Sequence, residues 1–252
     1  MARLEPTTYV PPGSFAAPPV FTRALAASPS LAASNGARRS APGPASRESC
    51  RASPEGRPIG VLALQGGFEA HATALRALGH EVVLVRSARA LDACGGLVLP
   101  GGESTVMLKM LEEAGLRASL AVFVASGRPV LATCAGLILA AARVLDPEQP
   151  SFAFLDVTVR RNAWGRQLAS FEAKDDGDEI PVVAIRAPRI ATVGPRVRVL
   201  ATLRGEPILV REANVTGATF HPELTSDLTV HASVFGRAGE RAEPVVRALR
   251  VA

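Results

Sequence analysis

The sequence predicts an α/β fold in three layers, an open and mostly parallel sheet with helices on both faces. Two observations carry this. From Pro58 onward, short apolar runs alternate with segments of helical period, the pattern of repeated βαβ units. Several of these runs are apolar at every position, as strands covered on both faces must be. Residues 59–64 form the first such run, ended by Gln65-Gly66-Gly67. A helix follows, with Ala70, Ala74, Leu75 and Leu78 on one face and Gly79 as its stop. Residues 81–85 and 96–99 read as the second and third strands, 104–113 and 116–125 as helices, 129–132 as a fourth strand and 135–143 as a helix. Beyond Asp146 the pattern turns to Val- and Arg-rich alternation, with strands expected near 154–160, 181–186, 196–203, 207–211 and 215–220 and a last helix over about 226–235. No internal repeat is present. In an open parallel sheet, ligands gather at the carboxyl ends of the strands. Gly66-Gly67, Pro100-Gly101-Gly102, Thr133-Cys134 and His221 all follow predicted strands, so the topology predicts their convergence on one rim.

Residues 1–57 stand apart. They are rich in Ala, Ser, Pro and Arg, show no apolar periodicity, and are expected to form a disordered extension ahead of a single domain over residues 58–252. Such an Arg- and Ser-bearing, acid-poor N-terminus resembles an organelle transit peptide, and a start codon placed upstream of the true one in a GC-rich gene gives the same composition. The 26 Arg against two Lys fit GC-rich coding and leave both readings open. The expected location is cytoplasmic, with a plastid as the alternative if the extension is a transit peptide.

The net charge of +5 over 252 residues is mostly a property of this extension, which holds seven of the 28 basic and three of the 23 acidic residues. No Lys/Arg cluster interleaved with aromatics follows residue 57, which argues against nucleic-acid binding. No run approaches the roughly 20 apolar residues of a membrane span, and no apolar stretch follows a basic start as in a secretory signal. The three cysteines, Cys50, Cys94 and Cys134, are too few and scattered for a disulfide framework or a zinc site, so a reducing compartment and no metal are expected.

The chemistry concentrates at Thr133-Cys134-Ala135-Gly136-Leu137. A strand-to-helix turn with small neighbours exposes its central side chain and sets it at a helix N-terminus, where the dipole favours thiolate. An arbitrary cysteine is more often a small buried hydrophobe, but a downstream Phe220-His221-Pro222-Glu223 supplies a base and a carboxylate. In extended chain, positions i and i+2 project to the same side, so Glu223 is expected to hold one imidazole nitrogen of His221 while the other faces Cys134. His71, His80 and His231 lack a carboxylate at this spacing and read as surface or packing residues. Leu99-Pro100-Gly101-Gly102-Glu103-Ser104-Thr105 is a glycine turn opening a helix. It is either an ordinary cap or a source of backbone N–H groups for an oxyanion, with the Ala135 N–H as a second donor, and both can hold. Arg160-Arg161-Asn162-Ala163-Trp164-Gly165-Arg166-Gln167 and Ile185-Arg186-Ala187-Pro188 offer guanidinium forks suited to a carboxylate, or simply an exposed hairpin and a structural ion pair.

Together these residues resemble the glutaminase subunits of two-component pyridoxal 5′-phosphate synthases, within the triad-type (class I) glutamine amidotransferases of flavodoxin-like fold. The resemblance runs from about Ile59 to Phe235. Thr133-Cys134-Ala135-Gly136-Leu137 and His221-Pro222-Glu223 carry the wider superfamily. Leu64-Gln65-Gly66, Pro100-Gly101-Gly102-Glu103-Ser104-Thr105, Arg161-Asn162 with Gly165-Arg166-Gln167 and Ser170-Phe171-Glu172-Ala173, and Ile185-Arg186-Ala187-Pro188 carry the narrower one. The resemblance implies hydrolysis of L-glutamine to L-glutamate and ammonia, with Cys134 as nucleophile, His221 as base and Glu223 as its orienter. It implies glutamine contacts at Gly102, Glu103, Ser104, Arg161, Ile185 and Arg186, and oxyanion donors at Gly101, Gly102 and Ala135. It implies no cofactor, and a partner synthase subunit, a (β/α)8 barrel in a twelve-plus-twelve particle, whose docking completes the oxyanion site. Pyridoxal 5′-phosphate would be the final product. Two departures stand out: Gly67-Phe68-Glu69-Ala70-His71 replaces a segment that usually carries an acidic residue and a Glu-His pair, and Ala163-Trp164 stands where a small residue and a Phe or Tyr are commoner.

Alternative readings are a related amidotransferase subunit serving another acceptor, a non-catalytic regulatory paralogue, and a cysteine peptidase on a similar fold. The arginine motifs argue against the first and the third, and the intact Cys-His-Glu set argues against the second.

Overall fold

The computed structural model describes residues 56–161 and 170–237. Residues 1–55, where the disordered extension is expected, and most of the Arg161–Gln167 motif lie outside the described residues. The chain runs β1 (Ile59–Leu62), α1 (Phe68–Ala77), β2 (Val82–Val85), α2 (Ala88–Asp92), β3 (Gly96–Leu99), α3 (Ser104–Glu113), α4 (Arg117–Ala125), β4 (Val130–Thr133) and α5 (Ala135–Ala140). It continues through β5 (Ala141–Leu145), β6 (Leu155–Arg160), β7 (Ser170–Lys174), β8 (Pro181–Ile185), β9 (Arg189–Val193), β10 (Arg198–Leu203), β11 (Glu206–Glu212) and β12 (Val215–Ala218) to α6 (Thr229–Phe235).

The central sheet has seven strands in the order β10-β11-β12-β4-β3-β1-β2. β2, β1, β3, β4 and β12 pair in parallel, and β11 and β10 extend the sheet antiparallel beyond β12. β1 lies between β2 and β3, so successive crossovers leave it in opposite directions. Such a reversal opens a crevice at the strands' carboxyl ends. All four residues of β1, β3, β4 and β12 are buried. Alternate side chains enter two cores. Leu62, Leu97, Leu99, Val130 and Ala132 meet α2 to α5 on one face, and Ile59, Val61, Val98 and Leu131 meet α1 and α6 on the other. Each fully buried Leu contributes roughly 1.5–3 kcal/mol, which is why these strands read as unbroken apolar runs. The open, mostly parallel, three-layer sheet is as the sequence predicts.

Local differences have physical causes. The helix expected over residues 135–143 ends at Ala140, and β5 begins at once. Its Ala141 and Arg143 pair with Leu155 and Thr158 of β6, and β9 completes a separate three-stranded sheet. The apolar sequence across this junction contains neither Gly nor Pro to mark it. α2, β7 and β9 carry no sequence expectation: α2 is five residues, β7 pairs only with β8, and β9 keeps its last three residues exposed. His221, expected at the end of an extended strand, instead precedes a 3-10 turn over Pro222–Leu224.

Candidate active site

Cys134 sits between β4 and α5 with φ 47° and ψ −104°. A non-glycine residue held in this region costs about 1–3 kcal/mol, and the surrounding packing must impose it. Here its N–H donates to the Ala218 carbonyl at 2.9 Å, and its own carbonyl accepts from Ile138 at 3.1 Å. Gly136 makes the turn sterically feasible, because a Cβ there would strike the Leu99 carbonyl on the neighbouring strand. Cys134 is 6% exposed. Its place at a strand-to-helix turn is as the sequence predicts, but the side chain is buried where exposure was expected.

The His221 imidazole lies beside Cys134, both against Gly101, and its Nδ1 is 2.8 Å from Glu223 Oε1. The i, i+2 relation of the two residues is bridged by the 3-10 turn, which corrects the extended geometry that the sequence suggests. Pro222 opens that turn, where its fixed φ and missing N–H fit. Burial pulls the His221 pKa down, but the hydrogen bonds and charges of Cys134 and Glu223 outweigh it and hold it up at about 10. Burial likewise pushes the Glu223 carboxyl up, and the hydrogen bond to His221 with the neighbouring imidazoles leaves it below the usual carboxylate range. A thiol, an imidazole and a carboxylate on the imidazole's Nδ1 therefore stand together, the groups a nucleophile and its base require.

The Gly101-Gly102 turn lies against this group. A Cβ on Gly101 would meet the His221 ring, and one on Gly102 would meet the Gln65 side chain, whose Oε1 accepts from the Glu103 N–H at 2.9 Å. The Gly101 carbonyl accepts from the Gly67 N–H at 3.0 Å, which joins the β1 and β3 loops. Ala135, buried at the first position of α5, directly follows Cys134. Further out, Glu103 Oε1 accepts from Thr105 Oγ1 at 2.8 Å and from Arg161 Nη2 at 3.3 Å. The Thr105 hydrogen bond, with the charges of Arg161 and Arg186, holds the Glu103 carboxyl below its ordinary value. The Ser104 hydroxyl is buried and donates to Gln149 Oε1 at 2.9 Å. The Ile185 carbonyl oxygen is 4.0 Å from Cys134 Sγ, and Arg186, at φ 47°, is exposed. Of the residues expected around a substrate, Gly101 and Ile185 lie against Cys134 and Glu103 pairs with Arg161, while Asn162 and Gly165 to Gln167 lie outside the described residues.

Three residues of this region carry no functional expectation from the sequence. His71 and His231 are fully buried, with His71 Nδ1 2.9 Å from His231 Nε2 and His71 Nε2 3.2 Å from Glu223 Oε2. Gln149 anchors Ser104 from the loop after β5. His71 precedes the core residue Leu75 by one helical turn, so periodicity marks it as inward-facing. No local signal links it to His231 or to Glu223. His80, by contrast, bonds the Gly236 carbonyl at 3.0 Å, away from the thiol. Among the described residues no cluster of three His, Cys, Asp or Glu side chains could hold a metal ion, and no helix is long and apolar enough to cross a membrane.

Residues 61–238 match the SNO glutamine amidotransferase family. The chain is 51% identical over 177 residues to the pyridoxal 5′-phosphate synthase subunit PdxT of Koribacter versatilis, covering 69% of this chain and 91% of that protein. It is 46% identical over 178 residues to the protein of the same name from Thermotoga maritima, covering 69% and 95%. A crystal structure of a glutamine amidotransferase superposes with a TM-score of 0.68 at 41% identity, over 72% of this chain and 99% of that one. With its strand-to-helix cysteine, a histidine–glutamate pair on the same rim and this extent of likeness, the chain belongs to the SNO glutamine amidotransferase family.

Proposed function

We propose that the chain is the glutaminase subunit of a pyridoxal 5′-phosphate synthase, hydrolysing L-glutamine and supplying ammonia to a partner synthase subunit. The observation that carries this reading is the Cys134–His221–Glu223 arrangement, with His221 Nδ1 2.8 Å from Glu223 Oε1 and the His221 ring and Cys134 both against Gly101. Cys134 Sγ, its proton already held by His221 with the raised pKa, attacks the side-chain carbonyl carbon of glutamine as a thiolate. Glu223 fixes the ring orientation and stabilises the imidazolium. The oxyanion is met by backbone N–H groups of Ala135 and the Gly101-Gly102 turn. Collapse breaks the C–N bond, His221 protonates the departing ammonia, and a γ-glutamyl thioester remains. Water, deprotonated by His221, attacks that thioester and releases glutamate and the Cys134 thiol. Gly102, Glu103, Ser104, Arg161, Ile185 and Arg186 form the glutamine pocket. The Glu103–Arg161 pair stands at its mouth and suits the α-amino and α-carboxylate groups of an amino acid.

The partner is a (β/α)8 barrel assembled with this chain in a twelve-plus-twelve particle, and its docking completes the oxyanion site. Residues 58–252 form the amidotransferase domain and residues 1–57 an extension outside it; the family match, which begins at residue 61, supports that division. A free, buried Cys94 and a free Cys134 suit the reducing cytoplasm. Cys134→Ala, assayed by glutamate release with the synthase subunit present, is expected to lose activity by about 10⁴-fold or more. Turnover near that of the unaltered chain overturns the reading.

A further inference from the structure

Glu223 has two carboxylate oxygens, and His221 uses only one of them. The other, Oε2, is buried without a well-aligned hydrogen bond, and a neutral imidazole nitrogen, His71 Nε2, lies 3.2 Å away. An orienting carboxylate held at one oxygen can pivot about that bond, and a pivot would carry the His221 ring off the thiol. Whatever fixes Oε2 therefore fixes the base.

We infer that His71, backed by His231, is a positioning residue for glutamine hydrolysis, its Nε2–H holding Glu223 Oε2 so that the carboxylate keeps His221 aimed at Cys134. This rests on the glutaminase reading above. The tautomers follow from the acceptors. A carboxylate cannot donate, so the His71 nitrogen facing it carries the hydrogen, shared with Thr133 Oγ1 at 3.1 Å. His71 Nδ1 is then an acceptor, and His231 Nε2, 2.9 Å away, must donate to it. That assignment leaves His231 Nδ1 as a bare lone pair. This atom is indeed buried with no hydrogen-bond partner. The opposite assignment would leave a buried N–H orphaned at the same place and set a lone pair of His71 against a carboxylate.

Charge matters as much as geometry. Burial, the largest influence on both, lowers the His71 pKa to about 3 and the His231 pKa to about 4, against the pull of Glu223 on each and of Asp227 on His231. A cationic His71 would divide the Glu223 charge with His221. A neutral one steers the carboxylate and leaves its charge for the His221 imidazolium. Apolar residues would satisfy packing at these positions, since the neighbours Ala72, Leu75, Val230 and Val234 are all core residues.

The test compares two variants of the full chain that differ in reach. In His71→Gln the side-chain amide extends to the place of Nε2 and can donate to Glu223. In His71→Asn the shorter amide reaches only toward His231. Glutaminase kinetics with the synthase subunit present should show kcat in His71→Asn reduced about 10- to 100-fold with KM for glutamine nearly unchanged, and His71→Gln within about fivefold of the unaltered chain. Alkylation of Cys134 by iodoacetamide, followed by peptide mass mapping over a pH series, should have its midpoint moved to higher pH in His71→Asn and unmoved in His71→Gln. Equal kcat losses with unmoved alkylation profiles, or no loss in His71→Asn, overturn the inference. If the unaltered chain releases no glutamate, the glutaminase reading fails instead. The alkylation profiles still report whether His71 acts through Glu223 and His221.

Discussion

The floor of the site and its mouth are built differently. On the floor, His71, His231, Glu223 and Cys134 are buried, and each is tied to elements far apart in the chain: β4, α1, α6 and the 3-10 turn after β12. Among the proposed glutamine contacts, which would form the mouth, Glu103 and Arg161 make a 3.3 Å pair whose side chains are 40% and 13% exposed, Ile185 is 42% exposed, and Arg186 is open to solvent. The difference teaches where preorganisation is required. Groups that exchange protons need fixed distances and low dielectric before substrate arrives, so they are buried at the carboxyl ends of the strands. Groups that recognise a charged amino acid must exchange water for ligand at modest cost, and a half-exposed ion pair does so.

After removal of the Cys134 thiol itself, the largest effect should come from breaking the floor with the smallest change. Gly101→Ala adds one methyl where the His221 ring lies, without requiring any unusual backbone angle. Displacement of the base is expected to lower kcat about 100-fold or more, with an unfolding transition close to that of the unaltered chain. Steady-state kinetics beside thermal unfolding checks both halves. A variant that unfolds early in proportion to its lost activity would mean that the floor is a packing unit only.

A second contrast lies within the floor and is read by pH. His71 and His231, with pKa values lowered to about 3 and about 4, stay neutral in the fold, whereas the unfolded chain protonates them below about pH 6.5. Each therefore withdraws stability as pH falls from about 6.5 toward 4, by at most about 1.4 kcal/mol per pH unit. Glu223, held below its ordinary value, contributes stability above its unfolded pKa that is lost in the same direction on acidification. His221 has the opposite sign. Its pKa of about 10 means that its contribution is complete below about pH 6.5 and lost as pH rises toward 10. Urea midpoints should peak near neutrality, and His71→Asn should flatten the acid slope. An unchanged acid slope in that variant would remove His71 from the account.

The smallest expected effect is at the mouth. Arg161→Ala breaks a partly buried ion pair and should change stability by about 1 kcal/mol. It should raise KM for glutamine about tenfold with little change in kcat. If kcat falls and KM does not, Arg161 belongs functionally with the floor, and the division drawn above fails.

How much of this was legible in the chain differs by element. β1, β3 and β4 are read directly because burial on both faces demands unbroken apolar runs, and the Cys134 turn because only small neighbours admit it. The α5–β5 junction is hidden, since residues 137–142 are apolar or small throughout and only pairing with β6 converts the end of the run to strand. β9 is hidden for a related reason: it exists because β6 offers it an edge, while its own Arg189 to Val193 has no alternation. The histidine–glutamate pair is legible as a pair. Its bridging by a 3-10 turn is not, because Pro222 suits an extended chain and a first helical position equally.

By itself the sequence determined the α/β class, the sheet's buried strands, the nucleophile turn and the residues that would meet it, because each follows from local spacing or from the hydrophobic pattern. Only the tertiary structure decided what stands behind the site. His71 and His231 are 160 positions apart and carry no motif; one is marked inward by helical periodicity and neither is marked for chemistry. They meet because α1 and α6 cover the same face of the sheet, and they meet beside Glu223 because the chain after β12 turns back beneath the rim. Spacing along the chain encodes periodicity, but contact between distant elements is set by packing.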